Sequence, residues 1–159
     1  MSRIWSEAEL AYLAGIVDGE GYLTVHRHKN CSYSTTLGVT NTDVRMIHWL
    51  HQHFGGSSGP TSRRKENPRF KPNWKPSWAW RATSSDLDLI LRSLIPYLVV
   101  KKRQAELVIA YRATVNGVAR QSRKARGVGR SPLPISNDVK AHRSGIVAEL
   151  TLLNRKGAA

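Results

Sequence analysis

The stretch Leu13-Ala14-Gly15-Ile16-Val17-Asp18-Gly19-Glu20-Gly21 connects the first predicted helix to the first predicted strand. Upstream of it, Ser6 and Glu9 have the spacing of a capping box, in which each side chain can bond the backbone N–H of the other residue. A helix is therefore predicted from about Ser6 to Asp18, and the glycines at positions 19 and 21 end it.

Small residues at positions 11, 14 and 15 lie on adjacent faces of this helix, as Ala11, Ala14 and Gly15. A glycine inside a helix costs up to ~1 kcal/mol relative to alanine, so some interaction should offset that cost. Close approach of a second backbone is one such interaction. The alternative is a small-residue helix that packs in the core of its own chain.

Glu20 follows the predicted helix end and stands between two glycines, where backbone carbonyl groups can also reach a ligand. Mg²⁺ prefers oxygen ligands, usually one or two carboxylates together with phosphate and water. One glutamate per chain is too few for such a site, whereas two copies in a symmetric dimer would be enough. The alternative interpretation is a solvated turn residue.

Two strands are predicted after Glu20, from Tyr22 to His28 and from Ser34 to Thr40. Their apolar residues alternate with polar ones, which is typical of half-buried strands. The inward residues are Leu23, Val25, Leu37 and Val39, and the outward residues are Tyr22, Thr24, His26, His28, Ser34 and Thr36.

The rest of the chain continues with further helices and strands. A helix is predicted from Thr42–Asp43 to Phe54, and an irregular basic stretch over 61–76 is expected to contain the partner of a strand over 78–83. Two helices should follow, one capped by Ser85 and closed by Pro96, the other over about 100–115. A flexible basic loop over about 116–135 and a last helix over about 136–154 complete the chain.

This order predicts an α+β fold, an αββαββα core over about 6–115 with an antiparallel sheet, followed by the C-terminal helix. The 159 residues fit a single domain, 1–159. One sheet face is apolar and meets helices, while the other carries polar and basic side chains. Such a face suits a saddle that binds DNA better than it suits a core.

The charge of the chain predicts a polyanionic partner. The formal net charge is +14, and between Tyr22 and Ala82 only Asp43 and Glu66 are acidic, against ten Lys or Arg residues and five His residues. Tryptophans in the same segment could stack on nucleic acid, but packing in the sheet is the stronger expectation for Trp78 and Trp80.

The single cysteine, Cys31, excludes an internal disulfide and a cysteine-based zinc site, and it favours a reducing, intracellular compartment such as a bacterial cytoplasm or an organelle. No apolar run approaches the ~20 residues that a membrane helix needs, so no membrane association is expected. The N-terminal residues carry no recognisable targeting signal.

The nine residues from Leu13 to Gly21, LAGIVDGEG, resemble the signature of the LAGLIDADG homing endonucleases. The positions of Gly15, Asp18 and Gly21 agree with that signature, and Glu20 provides the acid at its penultimate position. The predicted order of helices and strands agrees with the family's core, and residues 96–107 form a second segment similar to the family. The resemblance covers about residues 8–112.

The resemblance implies a site-specific double-strand DNA endonuclease active in intron homing. Chains with one motif in this family are homodimers, with their signature helices packed across a twofold axis, so Ala11, Ala14, Gly15 and Asp18 are expected at the dimer interface. The expected cofactor is Mg²⁺, with Mn²⁺ able to replace it and Ca²⁺ expected to bind without supporting cleavage. The expected partner is double-stranded DNA with a long pseudo-palindromic site.

The resemblance also assigns the site residues. Glu20 is implied as the direct metal ligand, assisted by the Gly19 carbonyl, although the family often has aspartate at this position. Asn41, Arg45 and Lys101 stand at the positions of the family's groups that order water and balance charge, and Asn41 replaces a frequent glutamine. Contact with phosphate is the alternative for Arg45 and Lys101. The expected DNA contacts are Tyr22, Thr24, His26, His28, Ser34, Thr36, Arg63, Lys65, Lys71 and Arg81.

Two other functions remain open from the sequence. Some relatives with this fold are maturases that bind intron RNA, and the fold could also serve a DNA-binding regulator that does not cut. The acid at Glu20 and the lysine at Lys101 favour cutting over the regulator, and they leave a combined endonuclease and maturase open.

Overall fold

The computed structural model describes residues 5–27, 33–61, 75–83, 85–126 and 135–155. Five helices and four strands occur in this part of the chain. In chain order they are α1 (Glu7–Glu20), β1 (Gly21–Arg27), β2 (Tyr33–Asn41), α2 (Val44–Phe54), β3 (Ser57–Pro60), β4 (Trp78–Arg81), α3 (Leu87–Leu94), α4 (Lys102–Arg126) and α5 (Asn137–Leu153). The predicted α+β class and the αββαββα order are confirmed.

The four strands form one antiparallel sheet in the order β1-β2-β4-β3. The register pairs Leu23 with Leu37 and pairs Val39 with both Gly21 and Trp80. Since side chains alternate between the faces of a strand, this register puts Leu23, Leu37, Val39 and Trp80 on one face. All four are fully buried.

The core lies between this sheet face and the helices. Leu13 and Val17 of α1 are fully buried, as are Leu50 and Phe54 of α2. Trp80 packs edge-on near Phe54, and its indole N–H donates to the Gly55 carbonyl at 2.6 Å. The interpretation of this tryptophan as a packing residue is therefore correct.

Helix α1 begins as the capping-box pattern predicts. The Ser6 hydroxyl accepts from the Glu9 N–H at 3.3 Å, and the Glu9 carboxylate accepts from the Ser6 N–H at 2.7 Å. The same carboxylate lies 2.6 Å from Nδ1 of His53 near the end of α2. This contact holds the start of α1 to the end of α2, where the Trp49 ring stacks on His53.

The partner strand of β4 was predicted in the wrong place. In the described part of the chain that partner is Ser57–Pro60, which precedes the basic stretch. This segment has no apolar alternation of its own and follows two glycines with positive φ, so its strand conformation comes from pairing with β4. Residues 62–74, which hold Arg63, Lys65 and Lys71, lie outside the described residues.

Two further predictions about helices were wrong. Helix α4 continues to Arg126, although residues from 116 onward were predicted as a loop. Lys, Arg, Gln and Ala are good helix formers, so a high density of positive charge did not end the helix. Helix α3 is preceded by Asp86 at its N-cap, where Ser85 was expected. Helix α5 has the predicted Ser136 as its N-cap.

Among the described residues, no helix combines the length and the apolar character needed to cross a membrane.

Candidate functional site

Glu20 is the last residue of α1, and its side chain is exposed. Within the described part of the chain its carboxylate makes no hydrogen bond and no ion pair. The next residue, Gly21, donates its N–H to the Val17 carbonyl and starts β1. A Cβ at Gly21 would lie 2.7 Å from the Cα and O atoms of Val17, so only glycine lets the chain leave the helix this closely.

Asp18 and Lys101 form a reciprocal contact between the end of α1 and the start of α4. The Asp18 carboxylate accepts from the backbone N–H groups of Val99, Val100 and Lys101, at 2.8, 3.2 and 2.8 Å. In return, the Lys101 ammonium donates to the carbonyls of Val17 and Asp18, at 2.9 and 2.6 Å. Each side chain therefore satisfies backbone groups at the end of the other helix.

The hydrogen bonds to Asp18 stabilise its charged form. Partial burial pushes the pKa of Asp18 upward, but the three backbone donors from Val99, Lys101 and Val100 outweigh this, and the pKa lies below its ordinary value. Asp18 is therefore a negatively charged residue that joins the end of α1 to the start of α4 through these hydrogen bonds.

The Gly19 carbonyl takes no part in the contact between Asp18 and Lys101. The Lys101 ammonium donates to the carbonyls of Val17 and Asp18, and the Gly21 N–H donates to the carbonyl of Val17. Neither donor binds the Gly19 oxygen. An oxygen acceptor and an unpaired carboxylate thus stand next to each other in the chain, at Gly19 and Glu20. Together they offer the hard oxygen ligands that Mg²⁺ and Ca²⁺ prefer.

Asn41 and Arg45 lie at the same end of the sheet as Glu20, because Asn41 ends β2 two residues beyond Val39, the partner of Gly21. Asn41 accepts from the Asp43 N–H at 2.8 Å, and Asp43 caps α2. The Arg45 guanidinium binds the Asp43 carboxylate, with its shortest contact at 2.6 Å. Side-chain hydrogen bonding from Arg45 lowers the pKa of Asp43 to about 2.

This pairing was not foreseen from the sequence. Asp43 is two residues from Arg45, and their spacing predicted only a helix start. The Arg45 side chain is 88% exposed, so it can leave this surface ion pair for a phosphate at little cost.

The exposed face of α1 carries small residues. Ala11, Gly15 and Gly19 are exposed, and a Cβ added at either glycine would meet no atom within 4 Å. Ala14 departs from the expectation of a dimer contact, because it is 1% exposed and packs in the core of its own chain. The interpretation of a small-residue helix packed in its own core therefore applies to Ala14, and the contact with a second backbone stays a prediction for the exposed side.

The outward strand residues gather on the sheet face opposite the core. The register pairs Thr24 with Thr36 and His26 with Ser34. Tyr22 and Arg81 both lie beside Gly38 on this face, and the Tyr22 hydroxyl accepts from Arg81 Nε at 3.2 Å. The four strands contain no aspartate or glutamate. The predicted contact residue His28 lies outside the described residues.

A complete metal site does not occur within one chain, as far as the described residues go, since no three His, Cys, Asp or Glu side chains cluster there. Within the described residues, one chain presents an open carboxylate at the end of α1, an adjacent carbonyl, an exposed small-residue helix face and a polar sheet face.

A scan against protein-family models and a search of curated proteins both find no match to this chain. Solved structures do match. The chain is similar to the homing endonuclease I-CvuI in complex with the I-CreI target, with a TM-score of 0.63 and 17% identity over 95% of this chain and 85% of that one.

Two other matches are DNA complexes. The archaeal intron-encoded homing endonuclease I-Vdi141I has a TM-score of 0.65 and 16% identity over 95% of this chain and 87% of that one. The LAGLIDADG homing endonuclease I-GzeII has a TM-score of 0.55 and 16% identity, and the match spans 92% of this chain but only 44% of that one.

These similarities extend over nearly the whole chain. The chain therefore has the LAGLIDADG homing endonuclease fold.

Proposed function

We propose that this protein is a metal-dependent endonuclease that cuts double-stranded DNA at a long pseudo-palindromic site as a homodimer. The observation that carries this proposal is the Glu20 carboxylate, which is exposed and has no partner among the described residues, at the end of a helix whose small-residue face is also exposed. The proposal explains both features together, because a second copy packed on that face would bring a second Glu20 to the same place.

The ligands at the helix end fit a divalent cation. Glu20 and the Gly19 carbonyl would hold it, and the Asp18–Lys101 contact fixes the end of α1 from which both ligands project. A bound Mg²⁺ ion would supply charge stabilisation at the phosphate and a more acidic water. The presence of Mg in one I-CvuI complex and Ca in another supports a divalent metal here.

Asn41 and Arg45 would act beside this ligand pair. Asn41 would orient water with its amide, and Arg45 would exchange Asp43 for a phosphate as negative charge develops there. Lys101 would act as a positioning residue, since its ammonium already binds two carbonyl groups of α1.

The match to I-GzeII supports the dimer. Nearly all of this chain matches less than half of that protein, so one chain here corresponds to about half of a longer LAGLIDADG endonuclease. The proposed interface is the exposed face of Ala11, Gly15 and Gly19, with Asp18 at its end. Ala14 is left out because its own core covers it.

The proposed DNA contacts are the polar side chains on the open sheet face, Tyr22, Thr24, His26, Ser34, Thr36 and Arg81, with His28, Arg63, Lys65 and Lys71 in the segments that flank the strands. A sheet ribbon fits the major groove, where each base pair presents a distinct pattern of donors and acceptors.

The test is a selection of cleaved duplexes from a randomised library with and without Mg²⁺, followed by the Glu20→Gln variant on the selected duplex. The wild type should yield a pseudo-palindromic site that is cut only with the metal. Glu20→Gln keeps the side-chain size and removes the charge, so it should bind the duplex with unchanged affinity and lose at least about a hundredfold in cleavage rate.

The matched control is Glu7→Gln, which removes the same charge from an exposed acid in the first turn of α1. It should cut like the wild type. Undiminished cleavage by Glu20→Gln in Mg²⁺ would refute the proposed role of that carboxylate.

A further inference from the structure

Three residues form a row across β1, β2 and β4 on the open sheet face. Tyr22 pairs with Gly38, and Gly38 pairs with Arg81. The Tyr22 ring covers Gly38 so closely that a Cβ there would collide with its Cζ and hydroxyl atoms. The glycine thus opens a path for the tyrosine to lie across β2 and reach the arginine on the next strand.

The contact at the end of this row restricts the Arg81 guanidinium. Its Nε donates to the Tyr22 hydroxyl at 3.2 Å, so the edge of the guanidinium that contains Nε is occupied. The two terminal nitrogens remain, and among the described residues they have no hydrogen-bond or ion-pair partner. These nitrogens present two parallel N–H groups, a fork that matches a pair of neighbouring acceptors.

Among the described residues, the surroundings of Arg81 leave this fork free for DNA. The four strands carry no carboxylate that could pair with it, and Arg81 is exposed. In the major groove the two neighbouring acceptors that suit an arginine fork are O6 and N7 of guanine. A flexible arginine would bind phosphates equally well, whereas one held by a tyrosine loses less freedom on contacting a base.

The position of the row relative to Glu20 limits which base pair it can reach. Tyr22 is two residues from Glu20 along the chain, and Arg81 stands two strands across the sheet. With a rise of ~3.3 Å per residue and a spacing of ~4.8 Å between strands, Arg81 lies ~12 Å from Glu20. This corresponds to about four base pairs of B-DNA.

We propose that Arg81 recognises a guanine about four base pairs from the bond to be cut, and that Tyr22 is the positioning residue that orients its guanidinium. This inference rests on the proposed function, from which it takes the DNA ligand and the location of the cut. Two symmetric guanines, one in each half-site, are expected in the dimer.

The experiment is a selection of bound duplexes from a randomised library in Ca²⁺, which needs binding but no cleavage. The wild type should prefer guanine at the two symmetric positions by roughly ten- to a hundredfold over other bases. Arg81→Gln should shift the preference to adenine, because a glutamine amide matches the N6 and N7 groups of adenine. Tyr22→Phe keeps the ring over Gly38 and should reduce the guanine preference roughly threefold or more.

The control for charge is Arg92→Gln, which removes a positive charge from an exposed position on α3, away from the sheet. It should select the wild-type site. The melting temperatures of all variants should agree with that of the wild type, since Tyr22 and Arg81 lie outside the core.

A selected site without guanine at these positions, or an unchanged preference in Arg81→Gln, would overturn the assignment of Arg81 while leaving the nuclease proposal intact. A guanine-dependent site in a protein that fails to cut in Mg²⁺ would refute the nuclease proposal and support the base contact. Retention of no duplex at all would overturn both.

Discussion

Lys101 shows how much the role of one residue depends on its partners. Its position by resemblance implied a group near the reacting phosphate, but its ammonium donates to the carbonyls of Val17 and Asp18. These bonds join residues more than eighty positions apart in the sequence, and no local pattern around Lys101 indicates them. The family resemblance predicts Glu20 as a metal ligand, but neither the resemblance nor the local sequence indicates what holds the end of its helix.

Replacing Lys101 with methionine should therefore affect folding as well as cleavage. The variant keeps most of the side-chain volume and removes two charge-assisted hydrogen bonds, so the free energy of unfolding should fall by about 1–3 kcal/mol. Urea denaturation measures this change. Lys102→Met is the control, because Lys102 is exposed at the adjacent position. Equal stability of the two variants would show that the Lys101 contacts contribute nothing to folding.

At the scale of elements, α1 was predictable because the residues that start and end it lie next to its two ends in the sequence. Ser6 and Glu9 cap it, and Gly21 ends it, although the helix continues through Gly19 to Glu20 where its end was predicted at about Asp18. Strands β1 and β2 were predictable from alternating apolar residues. Strand β3 was missed because Ser57–Pro60 has neither alternation nor β-branched residues, and only its pairing with β4 makes it a strand.

The contact between Glu9 of α1 and His53 of α2 should make the free energy of unfolding depend on pH in the acidic range. Hydrogen bonds from Ser6, and then the contact with His53, lower the pKa of Glu9 to about 2, below the ordinary 4.5. Since the folded protein holds the charged form, this stabilisation is complete above pH 4.5 and disappears as the pH falls toward 2.

Urea denaturation at a series of pH values tests this dependence. The wild type should lose stability between pH 4.5 and 2, and Glu9→Gln should lose less over the same range. The remaining loss in that variant is expected from Asp18 and Asp43, whose pKa values are also lowered. Glu7→Gln, an exposed neighbour in the same helical turn, should keep the wild-type slope. If the free energy of unfolding fell equally with pH in Glu9→Gln and in the wild type, the result would contradict the role given to Glu9.

A second prediction at the scale of elements concerns the exposed face of α1 as the proposed dimer interface. Gly15→Leu introduces a side chain where the single chain has open space, so the monomer should fold. The same side chain would separate two helices packed through this face, so the variant should sediment as a monomer where the wild type is a dimer.

Gly117→Leu is the matched control for this variant, because it places leucine at an exposed glycine of α4 that also has open space. It should remain a dimer. A dimeric Gly15→Leu protein would place the interface elsewhere on the molecule.

At the scale of the whole molecule, a single chain has one half of what the proposed reaction needs. In its described part it carries the open Glu20 carboxylate at the end of α1, an uncovered face of that helix and strands without acidic residues, and the formal net charge of the chain is +14. The sequence predicted that two chains are needed, because it contains the LAGIVDGEG motif only once. Which side of α1 faces outward could be seen only in the structure, because Ala14 and Gly15 are neighbours in the sequence but Ala14 is buried and Gly15 is exposed.

The central claim is that two Glu20 residues from two chains form one shared site. Its most direct test is the rate of double-strand cleavage of the selected duplex, in Mg²⁺, by an equimolar and fully exchanged mixture of wild-type and Glu20→Gln chains. If the carboxylates act jointly, only dimers with two wild-type chains cut, so double-strand cleavage should fall to about one quarter and mixed dimers should nick neither strand. Efficient nicking of one strand by the mixed dimers would show that each Glu20 serves its own independent site, and would contradict the account.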